Sequence, residues 1–251
     1  MTIREALARH SRLASSIGLG AVLAVAFGAA AVTHRSGSQT RNRAEMERVV
    51  HDYILAHPEI IPQAIEKLHD RQSRDVYAAN KIALETPFAS AWAGNPKGDV
   101  TLVMFTDYAC GYCRASLPDI DRLLASDPKL KVVWREIPIL GPGSEVAAKA
   151  SLAAAQQGAF REFHERMFAS GRPDGPRVSA VLRSMKLDLR RIERDLDSPA
   201  VTAEIRNNLA LAARIDESLA TPTFLVGGQM LKGAVGYDAL KQAIEVARKP
   251  G

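Results

Sequence analysis

The stretch Thr106-Asp107-Tyr108-Ala109-Cys110-Gly111-Tyr112-Cys113-Arg114 holds both cysteines of the chain and decides how the rest is read. It follows the β-type apolar run Val100 to Phe105 and precedes an apolar pattern of helical period, so the C-x-x-C pair falls at a strand-to-helix junction. At the first turn of a helix the backbone N–H groups lack intrahelical acceptors and the dipole is positive, which favours an anion. Cys110 is therefore expected to be the low-pKa nucleophile. Cys113, one turn further on the same face, can close a disulfide with it and release a mixed-disulfide partner. Other uses of the pair fit less well. Zinc wants four ligands and there is no second C-x-x-C, so no metal ligand is assigned. Haem attachment needs His at position 114, which is Arg. Two inert core cysteines would not require the strand before and the helix after.

A chain of 251 residues, 47% hydrophobic, can bury a full core and a second small module. Its formal net charge of +5 would suit nucleic acid, but the charge is not on the folding part. Residues 1–43 hold Arg4, Arg9, Arg12, Arg35, Arg41 and Arg43 against Glu5, and the remaining 27 basic and 27 acidic residues cancel. No nucleic-acid partner is expected. The first three of those arginines precede an uncharged run, Leu13 to Val32, followed by polar residues to Arg43. This pattern over residues 1–33 predicts an export leader. It is either a signal peptide cleaved near Ala29-Ala30-Ala31 or a transmembrane anchor of about twenty residues. Disulfide chemistry suits the oxidising compartment to which such a leader points, a periplasm or bacterial cell envelope.

Residues 34–86 read as a linker and an N-terminal helical segment. Met46, Val49, Val50, Tyr53 and Ile54, then Ile60, Ile61, Ala64, Ile65 and Leu68, recur at spacings of three and four and make one apolar stripe. His57-Pro58 divides the segment into two helices, because the residue before proline is pushed out of the α region. A stripe of this kind must pack on the domain behind it or on a copy of itself, and a homo-oligomer is expected. Ser90 to Asp99 reads as a loop. The strand Val100 to Phe105, one helix from the C-x-x-C to about Ala125, and the strand Leu130 to Ile137 predict a right-handed βαβ crossover with a parallel pair. Residues 141–219 show no convincing strand and read as helices. Ser144 is expected to cap the first of these and Ser198-Pro199 to open the last. Leu225-Val226, Gly227-Gly228 and Met230-Leu231 form a hairpin, and Tyr237 to Arg248 a closing helix.

This constellation resembles the DsbA-like branch of the thioredoxin superfamily, and in detail its exported Com1/ScsC-like group. The matching features are Phe105-x-Asp107-Tyr108-x-Cys110-Gly111-Tyr112-Cys113, Pro138-Ile139-Leu140-Gly141-Pro142, the helical insertion, and Thr221-Pro222-Thr223-Phe224. The resemblance implies an α/β thioredoxin fold over residues 87–140 and 220–251, with an all-helical insertion at 141–219 and an N-terminal helical extension. It implies that Pro222 is cis against the disulfide and that Thr221 presents backbone groups to an extended substrate. The Gly-Tyr dipeptide and the Thr before Pro222 look like those of disulfide isomerases such as DsbC more than those of the oxidase DsbA. Two positions depart from the family. The buried carboxylate usual six residues before the nucleophile is replaced by Met104, and Ala220 stands where a Gly commonly precedes Thr-Pro. Glu136 on the neighbouring strand is read as a strand residue with an exposed head, its role as a substitute carboxylate left open.

The remaining candidates are weighed singly. Tyr112, between the cysteines, is expected to be exposed and to touch substrate. His164 is read as a solvated helix residue, and Trp92 and Trp134 as packing residues. The resulting expectation is a cofactor-free protein-disulfide oxidoreductase, isomerase or reductase, acting on cysteine-containing exported clients together with a membrane redox partner. Its catalytic residues would be Cys110 and Cys113, and its substrate-binding residues Tyr112, Thr221 and Pro222. The alternative is a copper-binding or client-binding module that uses the same two thiolates for a soft ion.

Overall fold

The structure, a computed structural model, describes residues 42–218 and 220–249. The leader expected over residues 1–33 lies outside the described residues; among those described, no helix is long and apolar enough to cross a membrane. The chain falls into two compact units, divided between Ile65 and Glu66.

In the first unit α1 covers residues 42–56 and ends where the sequence says it must, at His57 before Pro58. α2, Ile60–Glu85, starts there and runs on into the second unit. Met46, Val49, Val50, Tyr53, Ile61 and Ile65 are all exposed, so the stripe that makes these helices amphipathic is uncovered in the single chain.

The second unit is built on a five-stranded sheet of order β1-β3-β2-β4-β5. β2 (Val100–Thr106) and β3 (Leu130–Glu136) pair in parallel, with Val100 opposite Leu130 and Thr106 opposite Glu136. β4 (Thr223–Val226) runs antiparallel to β2 and turns through Gly227-Gly228 into β5 (Gln229–Lys232). β2 is buried on both faces, which explains its unbroken apolar run. Val100, Leu102 and Met104 join Leu130, Val132 and Trp134 in a core with the cysteines. Val103 and Phe105, facing the other way, pack with Tyr77 and Leu84 of α2 and with Leu211. Between β2 and β3 lie α3 (Gly111–Ala115) and α4 (Leu117–Ser126). Between β3 and β4 come α5 (Pro142–Ala155), α6 (Phe160–Ala169), α7 (Gly175–Arg183), α8 (Leu189–Asp195) and α9 (Pro199–Ile215), and α10 (Tyr237–Ala247) closes the unit. This is the thioredoxin fold with a helical insertion.

Three local readings are corrected. The stretch Ser90 to Asp99 contains a strand, β1 (Trp92–Gly94), paired antiparallel with β3 at Trp92 opposite Val133. Three residues are too few to show alternation. Gly94 ends it at φ +87°, where a Cβ would meet the Leu130 carbonyl oxygen at 2.3 Å. The helix after the cysteines is two helices, broken at Ser116; Pro118 sits in the first turn of α4, where its missing N–H costs nothing. Ser144 is not a cap: α5 starts at Pro142 after Gly141, which adopts φ +121°, and Ser144 is buried inside the first turn.

The last turn of α2 carries no basic side chain of its own, and β3 supplies one. Arg135, 4% exposed, donates to the carbonyls of Ala83, Leu84 and Thr86 at the end of α2, to Glu204 Oε1 at 2.8 Å and to Asn208 Oδ1 at 3.3 Å on α9. One guanidinium therefore satisfies a helix terminus and joins two helices to the sheet. Arg135→Ala should cost on the order of 3–5 kcal/mol, because it leaves Glu204 and several carbonyls without a partner in a buried site. A urea midpoint within error of the wild type would refute this role.

Candidate active site

Asp107 stands directly after β2 and organises the loop that carries the cysteines. Its side chain is 1% exposed. Oδ1 accepts from the Ala109 N–H at 2.8 Å, and Oδ2 accepts from the N–H groups of Ile139 and Leu140 at 2.8 and 3.0 Å. Its own carbonyl accepts from the Cys110 N–H at 3.0 Å. The loop that presents Cys110 and the loop leaving β3 are thus held by one carboxyl group.

Cys110 is the N-cap of α3, with φ −84° and ψ 116°, and its Sγ accepts from the Cys113 N–H at 3.4 Å. As a thiol it donates to the Thr221 carbonyl oxygen at 3.2 Å. The pair is unbridged. The Cys110 thiol is pulled down from 9.0 to about 5, first by a hydrogen bond from the Cys113 side chain, then by the Thr221 side chain and the N–H groups of Cys113 and Tyr112, with burial opposing. The helix N-terminus thus contributes as expected, but the partner thiol contributes more. Cys113, with no exposed surface, is pushed far up by burial and by its neighbour. The two sulfurs are chemically divided: one is a stabilised thiolate at the rim and the other a thiol in the core.

The residues named from sequence gather here. The Thr221 carbonyl reaches Cys110, a cis peptide bond joins Thr221 to the buried Pro222, and Tyr112 stands 70% exposed between the cysteines. Ala220 in place of Gly leaves this loop intact, with its carbonyl accepting from Thr223 Oγ1 at 2.7 Å. Trp134 packs as expected, 2% exposed against Phe160 and His164, while Trp92 is half-buried on β1.

Two expectations are overturned. His164 is 1% exposed and not solvated. Phe160, Phe163, His164, Met167 and Phe168 occupy one face of α6 at helical spacing, so the signal is present in the stripe. Its Nδ1 lies 3.0 Å from the Tyr108 hydroxyl, and its pKa is lowered to about 3, first by burial and then by Arg161. Glu136 likewise is 1% exposed, with no exposed head; burial raises its pKa well above the carboxylate range. It lies on the same face of β3 as Leu130, Val132 and Trp134, all core residues, and the strand period places it inward. Asp107 is a motif residue to which the sequence alone assigns no role. Its bond to Ala109 two residues on is a turn readable from sequence, but its reach to Ile139 and Leu140 is tertiary.

Comparison with known proteins places these features in context. Residues 101–245 match the DSBA-like thioredoxin domain, and residues 42–74 match the N-terminal domain of copper resistance protein ScsC. A thioredoxin-like oxidoreductase from Silicibacter pomeroyi is 40% identical, with a TM-score of 0.65, covering 68% of this chain and 99% of its own. Proteus mirabilis ScsC in a compact conformation is 25% identical, with a TM-score of 0.61, covering 82% of this chain and 99% of its own. A segment of the Na(+)/H(+) antiporter NhaA 3 of Salinispora tropica is 33% identical over 156 residues, 60% of this chain. The chain spans about a quarter, 24%, of that curated relative's length.

Alkylation of the reduced protein should follow the division between the sulfurs. Because the thiolate is the reactive form, labelling of Cys110 should rise through a midpoint near pH 5 and level off above it, with Cys113 unlabelled until unfolding. Cys113→Ala removes the leading source of stabilisation, so the midpoint should move upward. Faster labelling of Cys113, or a midpoint unmoved in the variant, would reverse the assignment.

Proposed function

Because the chain belongs to the DSBA-like thioredoxin domain family of thiol–disulfide oxidoreductases, we propose that it is an exported disulfide isomerase or reductase acting on protein cysteines. The observation that carries the reading is a Cys110 sulfur with a pKa near 5, set beside the Thr221 carbonyl and paired with a buried Cys113. Thiolate Cys110 attacks a substrate disulfide to give a mixed disulfide. Cys113 then attacks Cys110 and releases the reduced client, or a second substrate thiolate attacks the substrate sulfur of the mixed disulfide, closes a new client disulfide and frees Cys110. Thr221 offers backbone groups to an extended client, and Tyr112 offers an exposed ring.

The isomerase reading is supported by the Gly111-Tyr112 dipeptide and by Thr221, which resemble those of disulfide isomerases. It also draws on the apolar stripe. Val49, Val50, Tyr53 and Ile61 are exposed on a single chain, and each would stabilise an assembly by roughly 1.5–3 kcal/mol if buried. Copies joined through this segment would place several dithiols around one client, and a membrane redox partner would keep them reduced. A periplasmic location fits the leader and the name of a Salmonella enterica relative, a periplasmic thioredoxin-like protein 26% identical to this chain. The name of the ScsC match keeps copper binding by the two thiolates as the second reading, although no cluster of three or more ligating side chains occurs among the described residues.

Light scattering and a scrambled-ribonuclease assay on the mature chain test this. The wild type should be oligomeric and active, and Val50→Glu with Tyr53→Glu should yield a monomer that still reduces insulin but has lost isomerase activity. A monomeric wild type, or a monomeric variant with full isomerase activity, would defeat the isomerase reading. A copper titration tighter than client exchange, with no insulin reduction, would favour the second.

A further inference from the structure

β5 is the outermost strand of the sheet, and half of its backbone polar groups face away from it. The turn Gly227-Gly228 holds two residues, so Val226 and Gln229 exchange both ladder bonds, and Phe224 and Leu231 repeat the pattern two residues on. The Gly233 N–H donates to the Pro222 carbonyl at 2.8 Å in the same phase. The N–H and C=O groups of Met230 and Lys232 therefore point outward from β4, and among the described residues none of them has a hydrogen-bond partner. A free edge of this kind is a template for another strand.

α2 walls this edge on one side. It stands so close to the hairpin that a Cβ on Gly228 would meet the Cα of Arg74 at 3.0 Å. A cavity of about 580 Å³ lies where α2, β5 and the end of α9 meet, within the size range of ligand pockets, and all its lining residues belong to the second unit. Its floor is apolar. Ile215 at the end of α9 and Met230 of β5 are half-buried against Tyr77 and Leu225, with Val76 of α2 beside them. Met230 and Lys232 both line it, whereas Leu231 between them turns to the opposite core, as strand alternation requires. Ser73 of α2 lines it too, and its buried Oγ has no hydrogen-bond partner. Lys232 is half exposed and binds the Asp216 carboxylate, which leaves N–H donors for a second acceptor.

Resting on the reading of this chain as an oxidoreductase of protein clients, we propose that the β5 edge is a second client subsite, which takes an extended segment of an unfolded chain as a sixth strand. The N–H and C=O groups of that segment pair with those of Met230 and Lys232. A side chain opposite Met230 shares its face of the sheet, and an apolar one covers the floor made by Val76, Ile215 and Met230. A side chain opposite Lys232 meets the ammonium group, so an acidic residue two positions from the apolar one is favoured. The occupant is a single strand and not the sheet of a second copy, because α2 bars a whole domain edge from β5. Its position adjoins the dithiol: Gly233, next to Lys232, is bonded to Pro222, and the Thr221 carbonyl before it reaches Cys110. A client held at β5 keeps neighbouring parts of its chain at high effective concentration near Cys110 after one mixed disulfide resolves and before the next forms. Main-chain pairing supplies the affinity and reads sequence loosely, as a protein that meets many unfolded clients requires.

The probe is a cysteine-free, end-blocked hexapeptide, alternating valine and threonine with glutamate in place of the last valine, titrated by fluorescence anisotropy against the full chain. Without a cysteine it reads the subsite and not exchange. N-methylation of the alternate amides along one edge of the peptide should abolish binding, and methylation of the other set should leave it, which is the signature of strand pairing. Met230→Pro removes one outward N–H while sparing the ladder to β4, and should weaken binding about tenfold, the effect of one net hydrogen bond. Ser73→Trp, which fills the cavity from α2, should abolish it. An alkylation midpoint of Cys110 still near pH 5 shows that the dithiol is intact in each variant. If Met230→Pro does not fold, Ser73→Trp and the two methylated peptides decide. Excess peptide should also compete with insulin reduction and leave exchange with dithiothreitol unchanged. Equal binding by both methylated peptides, full affinity in the Ser73→Trp chain, or absence of competition with insulin would overturn the subsite. So would a peptide that does not bind beside a Met230→Pro chain of lower mass in light scattering, which makes the edge a contact between copies. A wild type that reduces insulin but does not bind the peptide sinks only the subsite. A wild type that binds it and does not reduce insulin sinks the reading on which the client assignment rests.

Discussion

The position of the whole dithiol depends on one buried carboxyl group. Asp107 has no cation beside it among its contacts. Its oxygens are met instead by the N–H groups of Ala109, Ile139 and Leu140. A buried polar group costs free energy unless it is hydrogen-bonded, and these three bonds supply that pairing. The geometric result is larger than the energetic one. β2 and β3 end side by side, and without this clamp the loops leaving them would be independent. With it, the segment Ala109–Cys110 and the segment Ile139–Leu140 are tied to one side chain, and the N-cap geometry of Cys110 is inherited from a strand end.

The parts of this arrangement that are legible in the sequence are those fixed within a few residues. The C-x-x-C junction, the break before Pro58, the hairpin at Gly227-Gly228 and the Ser198-Pro199 helix start are all local chemistry, and each stands where the pattern places it. The parallel pairing of β2 and β3 follows from the order strand, helix, strand. The features that escape are decided across the chain. β1 exists because β3 has a free edge for it, not because Trp92-Ala93-Gly94 reads as a strand. Ser144 loses the cap position to Gly141-Pro142, a stronger helix start two residues earlier. His164 and Glu136 look exposed when judged by residue type, although in both cases the periodicity of their neighbours points inward, and periodicity is the better guide.

β3 carries two adjacent charged residue types that turn to opposite faces, as alternation requires. Arg135 on one face meets helix carbonyls and Glu204; Glu136 on the other meets Thr106, Tyr108 and His164. Both are almost wholly buried. A strand that bears a guanidinium and a carboxyl side by side in the core is costly unless each has its own compartment. Here the sheet itself is the partition, keeping the structural cation apart from the buried carboxyl group.

The Arg135 contacts also bear on where the N-terminal helices could be cut from this chain. The end of α2 is finished by a side chain some fifty residues downstream, and Tyr77 and Leu84 fill the core face below it. A truncation that keeps this body intact would therefore have to fall upstream of Glu66. A cut nearer the first strand would strand a guanidinium against empty space. α2 belongs to the body that carries the dithiol from Glu66 onward, with Arg74 set against the Gly228 turn and Tyr77 and Leu84 in its core.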